Sequence, residues 1–402
     1  MASFDKTICV VGLGYIGLPT ASLLGTKGYQ VYGVDTSAHV VDTINQGKIH
    51  IVEPDLDILV KSAVQAGNLS AGLQPKEADI FIIAVPTPFK GDHKPDMSYV
   101  ENATCMIAPY VKPGNLVILE STSPVGTTDG VVAKILKEAG HDVDKDVYVA
   151  HCPERVLPGR ILVELVENDR IVGGVNEVST QQAIAFYKTF VRGEVFATDS
   201  RTAEMTKLTE NSFRDVNIAF ANELSLICDK EGINVWNLIS LANRHPRVNI
   251  LNPGPGVGGH CIAVDPWFIV ARAPEQARLI RTAREVNDHK PEWVISKVKA
   301  SADKFKNPVI GCLGLSFKAD VDDLRESPSV EIVHKLMKQN VGKILVSEPT
   351  LSKHPEFDLL PYEEVIAKSD IVLLLVDHKQ FRALKAADLK EKILIDTRGI
   401  IV

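Results

Sequence analysis

Short apolar runs recur along the chain, each closed by a turn rich in Gly, Pro, Ser or Thr and followed by a stretch with helical periodicity. In the first half these runs are Thr7–Val11, Gln30–Val34, Ile80–Val85 and Leu116–Leu119. Runs this short and continuously apolar, separated by helices, predict strands buried on both faces of a parallel, doubly wound α/β sheet. Val147–Ala150 and Ile171–Val172 are candidates to extend it. From Arg201 the pattern changes. Neither Gly nor Pro interrupts Arg201–Glu231, and Asp199 or Ser200 is available as a cap, which predicts one long helix. A further helical stretch at Val235–Asn243 leads into an irregular Pro/Gly segment, RHPRVNILNPGPGVGGHCIAVDP. Helical periodicity returns from Pro274 to Ala300, with Pro291 a kink or boundary. The α/β rhythm resumes at Val309–Leu313, Lys343–Val346, Ile371–Val376 and Lys392–Ile395. The predicted fold is α/β, with two Rossmann-like, doubly wound parallel-sheet domains joined by a long central helix and a helical middle domain. The expected boundaries are 1–200, 201–300 and 301–402. A diverged duplication is one origin for two such lobes.

A chain of 402 residues has room for two or three cores of ordinary size. Its 45% hydrophobic and 24% charged content belongs to a folded globular protein, not to a disordered or collagenous one. The formal net charge of −7 argues against a nucleic-acid partner, while leaving room for one basic pocket around a phosphorylated ligand. Cysteines stand singly at 9, 105, 152, 228, 261 and 312, with no CxxC pair. Neither a structural metal site nor a disulfide framework is expected from that spacing, and a reducing cytoplasm suits it. Ile371–Val376, the longest strongly apolar run, is far too short to span a bilayer. The N-terminal stretch is broken by glycines and lacks the flanks of a signal peptide, so no membrane association is expected.

Chemistry enters first at Gly12-Leu13-Gly14-Tyr15-Ile16-Gly17, directly after the first predicted strand. Glycines at this spacing permit a tight turn, close approach of backbone to a pyrophosphate, and packing of the following helix, whose N-terminus then faces the phosphates. Asp35 closes the second strand 18 residues after Gly17. A carboxylate there accepts from both ribose hydroxyls and repels a 2′-phosphate, which selects NAD. Thr87 and Thr122 end strands where open α/β sheets bind ligands, and their hydroxyls suit the nicotinamide half; ordinary loop composition is the competing reading.

Lys207, Asn211 and Arg214 stand at i, i+4 and i+7 on one face of the long helix. Met205, Leu208, Val216, Ala219, Phe220, Leu224 and Ile227 are expected to pack inward on the opposite side. A solvated helix face is the plainer reading of the polar stripe, and a third element weighs against it. Gly256-Val257-Gly258-Gly259-His260-Cys261 is followed by Asp265. Glycines leave little bulk around the sulfur, and backbone N–H groups or a nearby Lys favour the nucleophilic thiolate. Arg244, His245 and Arg247, with Lys318 and Arg325, have the chemistry to hold a diphosphate; a solvated charge cluster is the competing reading.

At these residues the chain resembles the UDP-glucose/GDP-mannose dehydrogenase family over essentially its whole length. Matching stretches include VGLGYIGLPT, IVEPDL, ILESTSPVGTT, CPERVLPG, AEMTKLTENSFRDVNIAFANE, NPGPGVGGHCIAVDP and DDLRESP. The resemblance implies an NAD-dependent, four-electron oxidation of a nucleotide sugar's C6 alcohol to a carboxylate, through a thiohemiacetal and thioester on Cys261. It also implies Lys207 as general acid/base or oxyanion partner and Asn211 as its orienting neighbour. Asp265 and Thr122 would position the proton or the hydrolytic water, and Glu154 is an acid/base candidate. Arg155, Val156, Lys207, Asn211, Arg214, His245, Arg247, Gly258, Phe317, Lys318 and, more weakly, Arg398 are implied around the UDP-sugar. Gly12, Gly14, Tyr15, Ile16, Gly17, Asp35, Thr87, Thr122 and Arg325 are implied around NAD. Family members pair through the long helix, which implies a homodimer.

UDP-glucose members generally carry a Phe-Gly-Gly-Ser-Cys loop, where this chain has Val257-Gly258-Gly259-His260-Cys261. With CPERVLPG, that departure points to the branch acting on N-acetylamino sugars, UDP-N-acetyl-D-mannosamine first, for bacterial surface polysaccharide. UDP-N-acetylglucosamine and UDP-glucose are the alternatives within the class. A dehydrogenase that stops after one hydride, and a catalytically silent NAD-binding protein, are the alternatives outside it.

Overall fold

The computed structural model describes residues 5–157 and 159–401, so Pro158 of the CPERVLPG stretch lies outside the described residues. The chain forms two compact units, one ending at Glu210 and the other beginning at Asn211.

The strands of the first unit are β1 (Thr7–Val11), β2 (Gln30–Val34), β3 (Leu69–Gly72), β4 (Ile80–Ile83), β5 (Phe89–Lys90), β6 (Lys94–Pro95), β7 (Leu116–Leu119), β8 (Tyr148–His151), β9 (Arg170–Gly174) and β10 (Val195–Asp199). β5 and β6 make a short antiparallel ribbon; the others form one sheet in the order β10-β9-β8-β7-β4-β1-β2-β3. Its helices are α1 (Gly17–Thr26), α2 (Ala38–Asn45), α3 (Leu56–Gln65), α4 (Ser98–Ile107), α5 (Lys134–Glu138), α6 (Ile161–Glu167) and α7 (Glu177–Tyr187). Alternate residues of each central strand serve different cores. Ile8 and Val10 pack with Leu18, Leu24, Val60 and Ile184, while Cys9 and Val11 pack with Val100, Ile107 and Leu136. Burial on both faces is why these strands read as unbroken apolar runs rather than as alternating ones.

Six of the eight strands are parallel, as predicted, but β9 meets β8 antiparallel, with Ala150 opposite Gly174 and His151 opposite Gly173. β10 follows β9 in parallel, so both oppose the rest. After β8 the chain does not return to the amino edge of the sheet. β9 begins beyond the carboxyl end of β8, which leaves Arg170 at the edge where the strand-end loops gather.

The long helix, α8, spans Ser200–Glu231 and starts where Asp199 accepts from the Thr202 amide at 2.9 Å. It continues into the second unit, whose further helices are α9 (Val235–Ala242), α10 (Asp265–Arg272), α11 (Arg278–Ala302), α12 (Pro328–Lys338) and α13 (Tyr362–Lys368). Pro291 neither starts nor ends α11 but lies inside it. Strands β11 (Val309–Leu313), β12 (Lys343–Ser347), β13 (Ile371–Leu374) and β14 (Ile393–Asp396) form a parallel sheet ordered β12-β11-β13-β14. The inward side of α8 is narrower than its hydropathy predicts. Leu208 and Ala219 are buried, but Met205, Phe220 and Ile227 are exposed, together with Phe213 at 71%. Among the described residues no helix is long and apolar enough to cross a membrane.

The two sheets share the geometry of their first turn. Gly12 (φ +91°) donates to the Val34 carbonyl and Gly314 (φ +96°) to the Ser347 carbonyl, both at 2.8 Å. The next amide in each case reaches an acidic side chain: Leu13 to Asp35 Oδ2 at 3.1 Å, and Leu315 to Glu348 Oε2 at 2.6 Å. That correspondence supports duplication of one lobe.

Candidate functional site

At the mouth of β1, two glycines allow close backbone packing and a third leaves open space. A Cβ on Gly12 would lie 2.6 Å from the Ala84 carbonyl oxygen, and one on Gly17 would lie 1.7 Å from that of Gly12. Both contacts are with backbone, so neither position accepts a side chain. Gly14 meets nothing within 4 Å and leaves an open face beside the N-terminus of α1, where a pyrophosphate fits. Tyr15 and Ile16 flank it, half-buried. Asp35 is also half-buried, one oxygen accepting from Leu13 and the other from the Ser37 amide at 2.9 Å. Its remaining lone pairs suit ribose hydroxyls. Glu348, its counterpart in the second lobe, cannot do this. Its oxygens already take the Leu315, Ser316 and Thr350 amides, the Thr350 hydroxyl and His378, and the residue is 3% exposed. The first lobe therefore has the residues that fit a dinucleotide, and the second has closed the equivalent position.

The ends of β4 and β7 bring two further predicted residues together: the Thr87 hydroxyl donates to the Thr122 carbonyl at 2.6 Å. The loop carrying Thr122 is tied to α8 by Glu204, which sequence reasoning passed over. This fully buried carboxylate accepts from the Gly126 amide at 2.5 Å and from the Thr128 amide and hydroxyl at 2.7 and 2.6 Å. Burial raises its pKa and these donors oppose the rise. In the CPERVLPG loop, Glu154 is 7% exposed, with Oε2 on Arg170 Nη1 at 2.7 Å and Oε1 accepting from the Arg155 amide at 2.6 Å. Arg155 points its guanidinium at Glu210 of α8 (2.7 Å) and at the Asp169 carbonyl (3.1 Å), so its charge is already engaged. Val156 packs against the core. Glu53 of the IVEPDL motif fixes the far end of this loop, accepting from the Gly159 and Ile161 amides at 2.8 Å.

In the second unit, Asn211 and Asp265 meet. The Asn211 amide donates to Asp265 Oδ2 at 2.5 Å, and Asp265, 3% exposed, opens α10 with its own amide on the Cys261 carbonyl at 2.8 Å. Cys261 is intermediate in exposure, while Cys9, Cys152, Cys228 and Cys312 are buried. Burial pushes the thiols of Cys9, Cys152 and Cys312 up to about 12. The glycines before Cys261 are not simply open space. A Cβ on Gly258 would meet the Glu326 carbonyl at 2.4 Å and Pro328 at 2.8 Å, and one on Gly259 (φ +85°) would meet the Phe317 ring at 2.9 Å. Their role is to let this loop seat against residues 317–328, where the Gly259 amide also donates to the Arg325 carbonyl at 3.1 Å.

Lys207 stands one turn before Asn211 on α8, half-buried, and Arg214 is exposed. His245 and Arg247 are exposed on a loop that Asn243 closes through two bonds to Ile250 at 2.7 and 3.0 Å. Lys318 is exposed, and Arg325 pairs with Asp323 at 2.6 Å. Arg398 pairs with Asp377 at 2.9 Å and fills the place of a Gly254 side chain, its Nη1 only 2.6 Å from that Cβ position. A buried polar chain holds the start of the cysteine loop: the Gly254 amide donates to Asn222 Oδ1 (2.9 Å), Asn222 to Asn287 (2.8 Å), and Asn287 to Asp215 (2.8 Å), which also binds Arg284 (2.7 Å). Its signal in the sequence was polar residues at inward positions of α8 and α11, visible only once the two helices are known to face each other.

Three family models match the chain: the NAD binding domain of the UDP-glucose/GDP-mannose dehydrogenase family over residues 6–191, its central domain over 201–289, and its UDP binding domain over 311–402. An NDP-N-acetyl-D-galactosaminuronic acid dehydrogenase of Ralstonia nicotianae is 59% identical over 407 residues, covering 98% of this chain and 96% of the relative. The UDP-N-acetyl-D-mannosamine dehydrogenase of Escherichia coli K12 is 56% identical over 415 residues, covering 98% and 99%. Among solved structures, a UDP-D-ManNAc dehydrogenase from Pyrococcus horikoshii superposes with a TM-score of 0.91 at 41% identity, covering 98% of this chain and 96% of that one. The chain belongs to the UDP-glucose/GDP-mannose dehydrogenase family and is an NAD-dependent nucleotide-sugar dehydrogenase.

Proposed function

We propose that the chain oxidises the C6 alcohol of UDP-N-acetyl-D-mannosamine to the uronate, in the cytoplasm, to supply bacterial surface polysaccharide. The observation that carries the chemistry is the linkage of Asn211, Asp265 and the Cys261 turn, which puts an amide, a buried carboxylate and a half-exposed thiol on one hydrogen-bonded unit. Bound NAD⁺, held by the Gly12–Gly17 turn, Asp35, Thr87 and Thr122, supplies the hydride acceptor for each of two oxidations. Asn211 orients the C6 oxygen and Lys207 takes its proton. The Cys261 sulfur adds to the aldehyde carbon, giving a thiohemiacetal that restores a C–H bond beside an oxygen. The resulting thioester is cleaved by water, and Glu154 takes the water's proton. The sulfur leaves with the bonding electron pair and Asp265 steers its reprotonation. Overall, alcohol, water and two NAD⁺ become carboxylate, two NADH and three protons.

His245, Arg247, Gly258, Phe317, Lys318 and Arg398 serve the nucleotide sugar in this reading, with Arg155, Val156 and Arg214 shaping its surroundings and Arg325 serving NAD. In this reading the chain divides into a cofactor domain over 1–200, a central domain over 201–300 and a nucleotide-sugar domain over 301–402. Two protomers pair along α8, where Phe213, Phe220 and Ile227 recur at seven-residue intervals and are 71%, 53% and 50% exposed. The buried thiols, none in a disulfide, support a reducing compartment.

A galacto-configured N-acetylamino sugar is the second reading, favoured by the 59% identity to the Ralstonia relative. Measuring kcat/KM with the UDP-linked N-acetylmannosamine, N-acetylgalactosamine, N-acetylglucosamine and glucose separates these. The manno reading expects the first to lead by about tenfold or more. A preference for the galacto sugar, or for UDP-glucose, overturns it.

A further inference from the structure

Beneath the loops that carry Thr122 and Glu154 lies a charge cluster that the proposed mechanism leaves unused. Glu120, the residue after β7, is 2% exposed, and Arg170 is 1% exposed. Glu120 Oε1 accepts from the Tyr187 hydroxyl at 2.7 Å, and Oε2 has no partner. Arg170 gives Nη1 to Glu154 at 2.7 Å and Nη2 to the Leu165 carbonyl at 3.1 Å, while its Nε has no partner. Its guanidinium stands 5.6 Å over the Tyr187 ring. The side chains around Glu120 are therefore Tyr187 from α7, Arg170 from β9, and Cys152 and Glu154 from the loop after β8.

Two buried carboxylates share this space with one guanidinium. Were both ionised, one negative charge would be uncompensated in the interior, a state that proteins avoid by taking up a proton. The hydrogen bonds indicate which carboxyl takes it. An ionised Glu120 beside a guanidinium with an idle N–H would claim that donor, yet no Arg170–Glu120 bond forms and Arg170 is committed to Glu154. We propose that Glu120 and Glu154 share a single proton, resident on Glu120, so that Arg170 serves Glu154 alone. Glu120 is on this account a positioning residue. Burial and the charge of Glu154 both raise the Glu120 carboxyl above the usual carboxylate range, and Tyr187 and Cys152 are held in their neutral forms. The proposal rests on Glu154 acting as the base, but its protonation claim stands apart from that role.

The test uses the full-length enzyme and three variants. Glu120→Gln copies the neutral side chain, Glu120→Asp retains an acid at shorter reach, and Glu154→Gln removes the other carboxyl. Infrared difference spectra across pH 6–9 should show, in the wild type, the carbonyl band of a protonated buried carboxylic acid that fades as pH rises. That band should be missing in Glu120→Gln. Turnover of the wild type should fall about three- to tenfold as Glu120 ionises and competes for Arg170, whereas Glu120→Gln should stay flat over the same interval and within about twofold of wild type at its acid end. Glu120→Asp should regain a pH-dependent limb. No such band in the wild type, its persistence in Glu120→Gln, or loss of activity at every pH in a folded Glu120→Gln overturns the inference. If Glu154→Gln turns over normally while the wild-type band is present, the base role of Glu154 fails and the shared proton stands.

Discussion

Replacing Asp35 by Ala should weaken NAD binding far more than it weakens the fold. Within the protein the side chain accepts only two backbone amides, Leu13 at 3.1 Å and Ser37 at 2.9 Å. Such bonds contribute about 1 kcal/mol each, so stability should fall by roughly 2 kcal/mol at most, and water can reach the vacated amides. Those bonds exist with or without cofactor and cancel from the binding equilibrium. What the cofactor loses is a charged acceptor for its ribose hydroxyls. With water partly replacing it, the deficit is about 2–3 kcal/mol, or about 30- to 150-fold in Kd. Removing the negative charge also relieves repulsion of a 2′-phosphate, so the NADP/NAD preference should rise by about tenfold or more. Titrating NADH and NADPH fluorescence, with a thermal melt on the same samples, separates the two effects. A lower melting temperature with both cofactor affinities unchanged within about twofold would confine Asp35 to shaping the turn and refute its place at the ribose.

Asn222→Ala strands the Gly254 amide and the Asn287 side-chain Oδ1 in the interior, and should cost about 2–4 kcal/mol while speeding alkylation of Cys261. Denaturant titration and timed labelling check it; an unchanged labelling rate would show that the polar chain does not hold the loop. Burial alone would raise Glu348, but His378 and the Leu315 amide hold its carboxyl down to about 2. A carboxyl lowered on folding contributes its stability fully above the unfolded value near 4.5 and loses it as pH falls toward 2. Glu348→Gln should therefore flatten the acid limb of stability between those values, by roughly 3 kcal/mol. Phe213→Glu with Phe220→Glu should turn a dimer into monomers on size exclusion with light scattering, and an unchanged mass would remove α8 as the seam. Lys207→Ala should lower kcat by about a hundredfold or more with NAD affinity preserved, and equal loss of both would indicate a folding defect instead.

The central strands and α8 were legible because their signals are local. Thr7–Val11, Gln30–Val34, Leu116–Leu119 and Val309–Leu313 are strands at the predicted boundaries, since continuous apolarity between Gly or Pro turns has few other solutions. β3 and β10 were missed. LSAG has little apolar length, and VFATD reads as a mixed segment until β9 is there to pair with it. The antiparallel entry of β9 depends on where the preceding loop leaves the chain, which no periodicity encodes. Among candidate site residues, Asp35 and the glycines were singled out by spacing alone, and the turn they form has the local geometry that spacing implies. The engagement of Arg155 by Glu210, the anchoring by Glu204, and the Asn222 chain are long-range pairings of residues that look, in sequence, like solvated polar positions. Phe213, Phe220 and Ile227 show the converse: amphipathic periodicity predicts an apolar face without saying whether this chain covers it.

The proposed covalent tether on Cys261 is tested most directly by counting NADH released per nucleotide sugar consumed, and uronate formed, in the wild type and in Cys261→Ser. The wild type should give two NADH and one uronate in sustained turnover. In the variant, uronate should cease to accumulate over many turnovers while nucleotide and cofactor binding persist. Continued uronate formation by Cys261→Ser at the wild-type rate, still with two NADH per sugar, would contradict the account.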